Sequence, residues 1–506
     1  MRPLYKYMVA LIASLFIWEC DLYSQVYVKI ADESVRPLAM LKSKTRSSFF
    51  RIMTKNEDFN RLLTLYKISK YEQAYPSAKS DWLLDIYVLE GNDEIYDALV
   101  SRFSREFSLV EKTDVQPMEI GDSIKRYIPN DKKYSVQSNL DLVRAPEAWS
   151  LLGNLPHTPI AVTDTHFEES HLDLQGQFIN VVKTNYEDEN SFHGTAVSGI
   201  LGEKTDNKEG YASISFGAPI YASTKWGVDN EVLRIAQLGY RVINCSWLNR
   251  CTYSVVQDSL YSEVKNKWNA VVVFGAGNST SHCGSLKAKV YPASYNSVLS
   301  VTSVGHVYEV GTTSSYGTIN WKDCHESTIG DVTSAHHHNS AVDICAPGYH
   351  VPTTMLNSQY GGAWGTSFAA PQVVSALSLI FTINPCLTAD EAIDVLLSTA
   401  DSSIYNIEAN KEYIGQLGKG RLDVYSAVKK AIETATLTLS SPQTFQLNEE
   451  VESPYAIYVK VPFVVKAGSA VTFKTRTDVV IDSEFCVEKG GELRIDVSPD
   501  NIIVCH

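Results

Sequence analysis

The sequence has little of what marks nucleic-acid-binding or membrane-spanning proteins. Basic residues number 44 against 58 acidic ones, the net charge is −14 at pH 7, and basic residues nowhere form a run. This charge balance argues against nucleic acid or an anionic membrane surface as a partner. Beyond the N-terminus we expect no transmembrane span, because polar residues interrupt the apolar stretches.

Cysteine is scarce too, with 9 in 506 residues, while the hydrophobic content of 44% and the charged content of 20% are ordinary for globular protein. A chain of this length exceeds a single core and predicts two to four domains. Cys251 with Cys283, and Cys486 with Cys505, are the disulfide pairings that we consider, although sequence alone does not fix connectivity.

The N-terminus has the pattern of an export signal. Arg2 and Lys6 precede an apolar run from Met8 to Trp18, which has the length of a signal-peptide core and is too short to span a bilayer. We therefore predict a signal peptide over residues 1–24 and an exported protein that is secreted, periplasmic or attached to the cell surface. Export also permits disulfides.

One segment, residues 365–371 (Gly-Thr-Ser-Phe-Ala-Ala-Pro), has the pattern of a nucleophile at the start of a buried helix. The run from Phe368 to Phe381 is apolar on nearly every face, as a core helix is. Pro371 falls in its first turn, where a missing N–H costs nothing. Ser367 then lies at a helix N-terminus, whose free N–H groups and positive dipole suit a reaction that builds an oxyanion.

Taken alone, a serine before a helix is most often a helix cap. A nucleophilic serine also needs a base, and the base needs an orienting carboxylate. Residues 159–163 are a short apolar run that ends at Asp164, which predicts a buried strand with an acid at its carboxyl end. His193 begins a segment rich in small residues, which is typical of a closely packed helix.

A fourth segment, residues 270–278, predicts a buried strand that runs into a glycine-rich turn and ends at Asn278. A side-chain amide is a donor that can stabilise an oxyanion. Each polar residue has a structural explanation on its own, as a turn former at Asp164 or Asn278 and as a helix start at His193. These separate structural explanations do not account for the presence of all four segments in one chain in this order.

Together the four segments resemble the subtilisin-like serine proteases, the subtilases, over roughly residues 130–432. The order Asp, His, Ser is that of subtilisin and differs from those of chymotrypsin and the α/β-hydrolases. The resemblance implies a serine endopeptidase with Asp164, His193 and Ser367 as its catalytic triad and Asn278 in the oxyanion hole. It also implies that polypeptides are the substrates and that the chemistry requires no cofactor.

The resemblance further implies which residues line the substrate cleft, namely Ser246, Trp247, Leu248, Gly275, Ala276 and Gly277. Four positions depart from the usual family pattern without removing a catalytic atom. They are His166, where Gly is usual, Ala196, where a second His is common, Leu248, where Gly is common, and Phe368, where Met is frequent.

Pattern and resemblance divide the chain into four parts: the signal peptide, residues 25–128, residues 129–435 and residues 436–506. In residues 129–435, β runs over residues 159–163, 241–244, 270–274 and 298–302 alternate with helical stretches. This alternation predicts an α/β fold with a doubly wound, mostly parallel sheet of the subtilisin type. Residues 436–506 alternate in polarity between glycine turns and predict a small all-β domain that assists export, attachment or docking.

Residues 25–128 predict a small α+β domain with a strand over residues 82–89 and a helix over residues 94–107. At this position it looks like a subtilase prodomain, which in the family assists folding and inhibits the enzyme until it is cleaved. The resemblance thus implies a zymogen whose own prodomain is an intramolecular inhibitor, cleaved between about Glu111 and Tyr134. An unrelated N-terminal binding domain is the alternative.

Metal ligands are not assigned by the sequence. The run His336, His337 and His338 lacks spaced partners and predicts a solvated loop. Acidic loops with Asp173, Asp206 and Asn207 are candidates for a structural calcium ion, as many subtilases hold one, but they have no dedicated ligand spacing.

Two other interpretations stay open at this point. The first is a subtilase-fold peptide ligase or maturase, which product analysis separates from a protease. The second is a non-catalytic surface adhesin on the same scaffold, which reaction of Ser367 with a fluorophosphonate separates from an enzyme.

Overall fold

A computed structural model describes residues 23–41, 51–66, 68, 70–74, 80–92, 95–113, 124–279, 283–305, 313–314, 317–318, 336–483, 485–503 and 505. Most of the predicted signal peptide lies outside these residues. The chain divides into two units, residues 1–123 and residues 124–506, which are described separately.

The N-terminal unit is built on an antiparallel sheet in the order β4-β5-β1-β6. Phe59 lies at the centre of its core, where its ring contacts the rings of Tyr71, Phe103 and Phe107 at centroid distances of 5.7, 5.1 and 5.4 Å. The elements of this unit are β1 (Tyr23–Ile30), β2 (Leu38–Leu41), β3 (Arg51–Met53), α1 (Glu57–Leu65), β4 (Lys70–Gln73), α2 (Asp81–Leu84), β5 (Ile86–Asn92), α3 (Ile95–Arg102) and β6 (Phe107–Thr113).

The strand predicted over residues 82–89 is wrong in its first half, because α2 occupies Asp81–Leu84 and β5 begins at Ile86. Short apolar runs do not separate helix from strand by periodicity, and here Trp82 is exposed rather than buried in a sheet. The helix predicted over residues 94–107 ends at Arg102 because Phe107 starts β6, which pairs with β1.

Among the described residues of the second unit, seven parallel strands form one sheet in the order β15-β12-β11-β10-β7-β9-β8. The predicted doubly wound parallel sheet is therefore confirmed. Its strands are β7 (Ile160–Thr163), β8 (Phe178–Val182), β9 (Ile220–Ser223), β10 (Val242–Cys245), β11 (Val271–Gly275), β12 (Leu299–Val304) and β15 (Ile344–Pro347).

Helices cover both faces of this sheet because alternate strand residues enter two different cores. Val271 and Val273 of β11 pack in the core that includes α9, while Val272 and Phe274 pack against α7 and α8. The helices are α4 (Ser138–Leu142), α5 (Ala145–Trp149), α6 (His193–Gly202), α7 (Asp229–Gln237), α8 (Val255–Trp268), α9 (Thr366–Ile383), α10 (Ala389–Ser398) and α11 (Val424–Ala435).

Helix α9 is apolar all round, as predicted for the segment after Ser367. Of the helices in the described part of the chain, it is the one long and apolar enough to cross a membrane, yet 94% of it is buried inside the fold. It packs against five strands of the sheet and against α6, α10 and α11.

Short antiparallel pairs complete the region: β13 (Thr313–Ser314) with β14 (Gly317–Thr318), and β16 (Val351–Met355) with β17 (Gln359–Ala363).

From residue 436 the described chain forms a parallel β-solenoid, an all-β region as predicted. Strands of successive coils stack in three ladders, so Leu437 lies beside Ile457 and Ile457 beside Val479. The strands are β18 (Thr436–Leu439), β19 (Gln443–Phe445), β20 (Glu449–Ser453), β21 (Ala456–Val459), β22 (Phe463–Val465), β23 (Ala470–Thr475), β24 (Asp478–Ile481), β25 (Phe485–Val487) and β26 (Glu492–Val497).

The solenoid is fastened to the α/β region at several points. Strand β18 follows α11 directly, the Tyr455 hydroxyl donates to Leu151 O (3.0 Å), and Arg476 Nη1 donates to Thr382 O (2.7 Å). A disulfide joins Cys386, just beyond α9, to Cys505.

The expected Cys486–Cys505 bond is therefore wrong, whereas the Cys251–Cys283 bond is present. Cys486 is an exposed free thiol. Cys486 pairs with Val464, whose two neighbours, Phe463 and Val465, point into the solenoid, so the Cys486 side chain faces outward. Cys505 instead lies against the α/β region, where it bonds to Cys386.

Candidate active site

The four residues singled out in the sequence lie at the carboxyl edge of the parallel sheet. Asp164 directly follows β7, Asn278 comes three residues after β11, His193 begins α6 and Ser367 is the second residue of α9. Because β7, β10 and β11 are parallel neighbours, their carboxyl ends meet at one edge, where ligand sites of such sheets lie.

Asp164 and His193 form a close pair. Asp164 is buried, and its Oδ1 accepts hydrogen bonds from His193 Nδ1 (2.7 Å) and from the backbone N–H of Thr165 (2.7 Å). Burial disfavours the charged imidazole, but the charge and hydrogen bond of Asp164 outweigh it, so the pKa of His193 is raised. Because Nδ1 is hydrogen-bonded to Asp164, Nε2 is the ring nitrogen of His193 that can accept a proton.

Thr165 ties the two residues together, a role that the sequence analysis missed. Its Oγ1 lies 3.2 Å from Asp164 Oδ1 and 2.9 Å from Ser191 Oγ, and it accepts from the backbone N–H of Gly194 (3.3 Å). A Cβ added at Gly194 would lie 2.4 Å from His166 O, which explains why a residue without a side chain follows His193. The sequence feature that could have indicated this role of Thr165 is its hydroxyl side chain, directly after Asp164.

Ser367 is held between two segments of the site. Its hydroxyl donates to Ser246 O (3.4 Å) in this structure, and its carbonyl accepts from Ser246 Oγ (2.9 Å). The next residue, Phe368, is buried and packs its ring against the imidazole of His193, with centroids 5.4 Å apart.

The Asn278 amide has one allowed orientation. Its Oδ1 accepts from the backbone N–H of Thr366 (2.9 Å), and because a backbone N–H only donates, Nδ2 must face the other way. The backbone N–H of Gly277 in turn donates to Thr366 Oγ1 (3.1 Å). At Gly365, with φ at +131°, an added Cβ would crowd Asn278 Nδ2 at 3.3 Å. The amide therefore lies against Gly365 and Thr366, the two residues that precede Ser367.

The residues expected to line the substrate cleft are mostly buried. Trp247 turns inward and donates from Nε1 to Thr163 Oγ1 (2.8 Å), next to Asp164. Ala276 donates its backbone N–H to Val301 O (2.8 Å). Ser246, Gly275 and Gly277 are buried as well, and Leu248 is partly exposed. Their role toward substrate stays a prediction.

Of the family departures, His166 is the one that is paired with a charge. Its Nδ1 lies 2.8 Å from Glu187 Oε1, and both side chains are largely buried. Lys183 lies 3.8 Å from the same Glu187 oxygen.

The solvated loop predicted for the three histidines is wrong, since His336, His337 and His338 are all buried. The run packs against the turn that carries Asn278. His336 forms an isolated bridge with Asn278, and His337 donates its backbone N–H to Gly277 O (2.8 Å). Burial and the neighbouring histidines lower the pKa of His336 to about 4, so it is neutral at pH 7.

The residues considered for calcium do not fit that ion as they are arranged. Asn207 Oδ1 accepts from the backbone N–H of Glu209 (2.8 Å), so its Nδ2 faces Asp173 Oδ1 (2.8 Å). The backbone N–H of Tyr211 donates to the other Asp173 oxygen (2.8 Å). Calcium needs oxygen ligands, and no group of three or more His, Cys, Asp or Glu among the described residues is arranged to hold a metal.

Next to Asp173 lies an acidic group that the sequence analysis did not notice, the carboxyl of Glu203. It is buried, and the side chain of Gln137 lies beside it. Burial, with the nearby charges of Asp173 and Asp131, raises the pKa of Glu203 well above its usual range. Burial also raises the pKa of Asp131 to about 6. No sequence signal distinguishes such a glutamate at a helix end.

The fold and the edge site together define an α/β serine hydrolase of the subtilisin type. Residues 157–423, just over half of the chain, match the model of the Subtilase family. The chain belongs to the subtilase family and is a serine-type endopeptidase.

Two relatives found by sequence support this assignment. Thermitase from Thermoactinomyces vulgaris is 28% identical over 319 residues, which cover 60% of this chain and 100% of thermitase. The major intracellular serine protease of Bacillus subtilis (strain 168) is 27% identical over 277 residues, covering 50% of this chain and 78% of that protein. Among solved structures, a protease from Pseudoalteromonas arctica PAMC 21717 is 20% identical, with a TM-score of 0.45 over 60% of this chain and 99% of that one.

Proposed function

We propose that this endopeptidase works through Asp164, His193 and Ser367 as its triad, with Asn278 in the oxyanion hole. Ser367 attacks the scissile carbonyl, and His193 takes its proton and later gives it to the leaving amine. Asp164 orients the imidazole and stabilises its cation. Asn278 Nδ2 and a backbone N–H near Ser367 hold the oxyanion.

The 2.7 Å bond between His193 Nδ1 and Asp164 Oδ1 is the observation that carries the proposal. It sets the tautomer of His193, because a proton on Nδ1 leaves the Nε2 lone pair free to act as a base. The raised pKa of His193 favours the same role, since the pair stabilises the imidazolium that forms during attack.

We also propose that the enzyme is exported and made as a zymogen. The apolar run from Met8 to Trp18 supports export, and both disulfides suit an oxidising compartment. The N-terminal α+β unit, residues 1–123, supports a prodomain that inhibits its own catalytic region until cleavage. N-terminal sequencing of active protein should place its start between about Glu111 and Tyr134, and a start near residue 25 would contradict the zymogen.

The test of the triad is Ser367→Ala. We expect peptide hydrolysis to fall on the order of 10⁶-fold, as for loss of the nucleophile in subtilisin. A fluorophosphonate should label the native enzyme and not the variant, with Ser441→Ala, a change at an exposed serine of the solenoid, as a matched control that keeps the label. Unchanged turnover in Ser367→Ala would falsify the proposal.

The same experiment addresses the other two interpretations. A surface adhesin would not react with the fluorophosphonate at all. A ligase or maturase would react, but would join peptides where a protease leaves free carboxyl ends.

A further inference from the structure

The largest exposed side chain close to the nucleophile along the chain belongs to Trp364. It is 54% exposed and lies three residues before Ser367. Three residues of extended chain span at most about 11 Å, so its indole lies within reach of a substrate held at Ser367. Large apolar side chains are normally buried, and one fixed beside a reaction centre with a free face is typical of a binding surface.

The backbone around Trp364 is held on both sides. Ala363 pairs with Val351 at the end of the β16–β17 hairpin, and the backbone N–H of Gly365 donates to Gly348 O (2.8 Å). Between these two points Trp364 lies opposite His350, with ring centroids 5.6 Å apart. One side of the indole is therefore supported, and more than half of its surface stays open.

The hairpin that carries Trp364 packs on the helix that begins with His193. Thr353 Oγ1 donates to Ala196 O (2.6 Å), and Thr354 Oγ1 donates to Thr195 O (2.8 Å), both in α6. Asn278, from the turn after β11, accepts the backbone N–H of Thr366 with its side-chain Oδ1 (2.9 Å). His193 donates its proton to the leaving amine, so the leaving segment of the substrate lies on the α6 side.

We propose that Trp364 is a specificity-determining residue that binds an aromatic side chain on the leaving-group side of the scissile bond. This rests on the proposed roles of Ser367 and His193. The exposed indole face offers an aromatic side chain an offset-stacked or edge-to-face contact. Substrates with an aromatic residue just after the cleaved bond are therefore preferred.

Transfer of the acyl group to an added amine measures binding on the leaving-group side separately from binding of the acyl part of the substrate. An amine attacks the acyl-enzyme carbonyl, a C–N bond forms, and the ester bond to Ser367 Oγ breaks. The amine proton passes through His193 to Ser367 Oγ. Water competes for the same acyl-enzyme, so the ratio of aminolysis to hydrolysis reports binding on the leaving-group side alone.

The experiment uses the mature enzyme acylated by a peptide p-nitrophenyl ester, with phenylalaninamide or glycinamide added at equal concentration. The native enzyme should prefer phenylalaninamide. Trp364→Ala should lower that preference roughly two- to tenfold, as expected for loss of one aromatic contact. Trp364→Phe should keep most of it. Trp226→Ala is the matched control, because Trp226 is 40% exposed but follows β9 on the other side of Asp164.

An unchanged preference in Trp364→Ala, with the ester still turned over, would overturn the proposal. So would an equal loss in Trp226→Ala. If Trp364→Ala does not fold, Trp364→Leu keeps the apolar bulk without the ring and should show the same loss. Absence of ester turnover in the native enzyme would overturn the proposed function itself and this inference with it.

Discussion

The α/β sheet and the C-terminal solenoid are both built from parallel strands, but they bury them differently. In β7, β9, β10, β11 and β12 every residue is buried, because helices cover both faces. In the solenoid strand β23, buried and half-buried residues alternate, because only one face of each strand meets the interior. Only the sheet has strand ends that converge with helix starts, which is where a site can form.

The two regions also differ in how their cores end. The inner strands of the sheet are covered along their whole length, whereas the apolar columns of the solenoid become exposed toward its last described coil. Phe473 is fully buried, and its neighbour in the next coil, Ile495, is 53% exposed. The interior of the solenoid is therefore less well covered in its last described coil than in the coil before it.

Of the changes that compare the two regions, Asp164→Asn should have the largest effect, and we expect it in activity. We expect kcat to fall about 10⁴-fold, as for the equivalent change in a chymotrypsin-type triad. The Asp164 carboxylate raises the pKa of His193 against the effect of burial, so its loss should move the acid limb of kcat/KM to lower pH. The measurement is a pH–rate profile of both enzymes.

Asp478→Asn is the control for that comparison, since Asp478 is an exposed carboxylate of the solenoid. Its profile should overlie that of the native enzyme. An acid limb that stays in place in Asp164→Asn would contradict the proposed coupling of the pair.

Loss of the Cys386–Cys505 disulfide should have the largest effect on stability, because it joins the two regions. Its sequence separation is 119, against 32 for Cys251–Cys283. The chain-entropy model gives about 5 kcal/mol for the longer loop and about 4 kcal/mol for the shorter one. Denaturant unfolding of the two double Cys→Ser variants measures both. A larger loss for Cys251 and Cys283 would reverse the expected order.

Phe473→Ala should lower the free energy of unfolding by about 3–5 kcal/mol, as for large-to-small changes in a packed core. Ile495→Ala, one coil further on, should lower it by about 1 kcal/mol or less, because half of that side chain is already in water. Ester turnover per folded molecule should stay unchanged in both. Equal losses would show that the last coil is covered in solution.

The smallest effect is expected for Glu203→Gln, and it should depend on pH. Because the pKa of Glu203 is raised in the folded state, the free energy of unfolding falls as pH rises above about 4.5, where the unfolded glutamate ionises. Glutamine does not titrate, so the melting temperature of the variant should gain on the native protein as pH increases. Glu449→Gln, an exposed solenoid change, should give a flat difference.

Several features of the fold were predictable because they depend on local patterns. Continuous apolar runs gave the buried strands β7, β10, β11 and β12 to within two residues, and the run after Ser367 gave α9. The solenoid coils were harder, because alternation predicts strands but not whether their neighbours are parallel. Their stacking appears in the register, where Val471 lies beside Leu493.

The sequence by itself determined which residues are proposed for the chemistry, because Asp164 and Asn278 follow apolar strands and His193 and Ser367 begin helices rich in small or apolar residues. Only the tertiary structure decided which atoms meet. The Thr165 bridge, the buried histidines beside Asn278 and the fixed direction of the Asn278 amide depend on contacts between segments far apart in the chain. The pairing of Cys505 with Cys386 also depends on such long-range contacts. The parallel pairing of Cys486 with Val464 turns the Cys486 side chain outward, and the packing of the following segment brings Cys505 to Cys386.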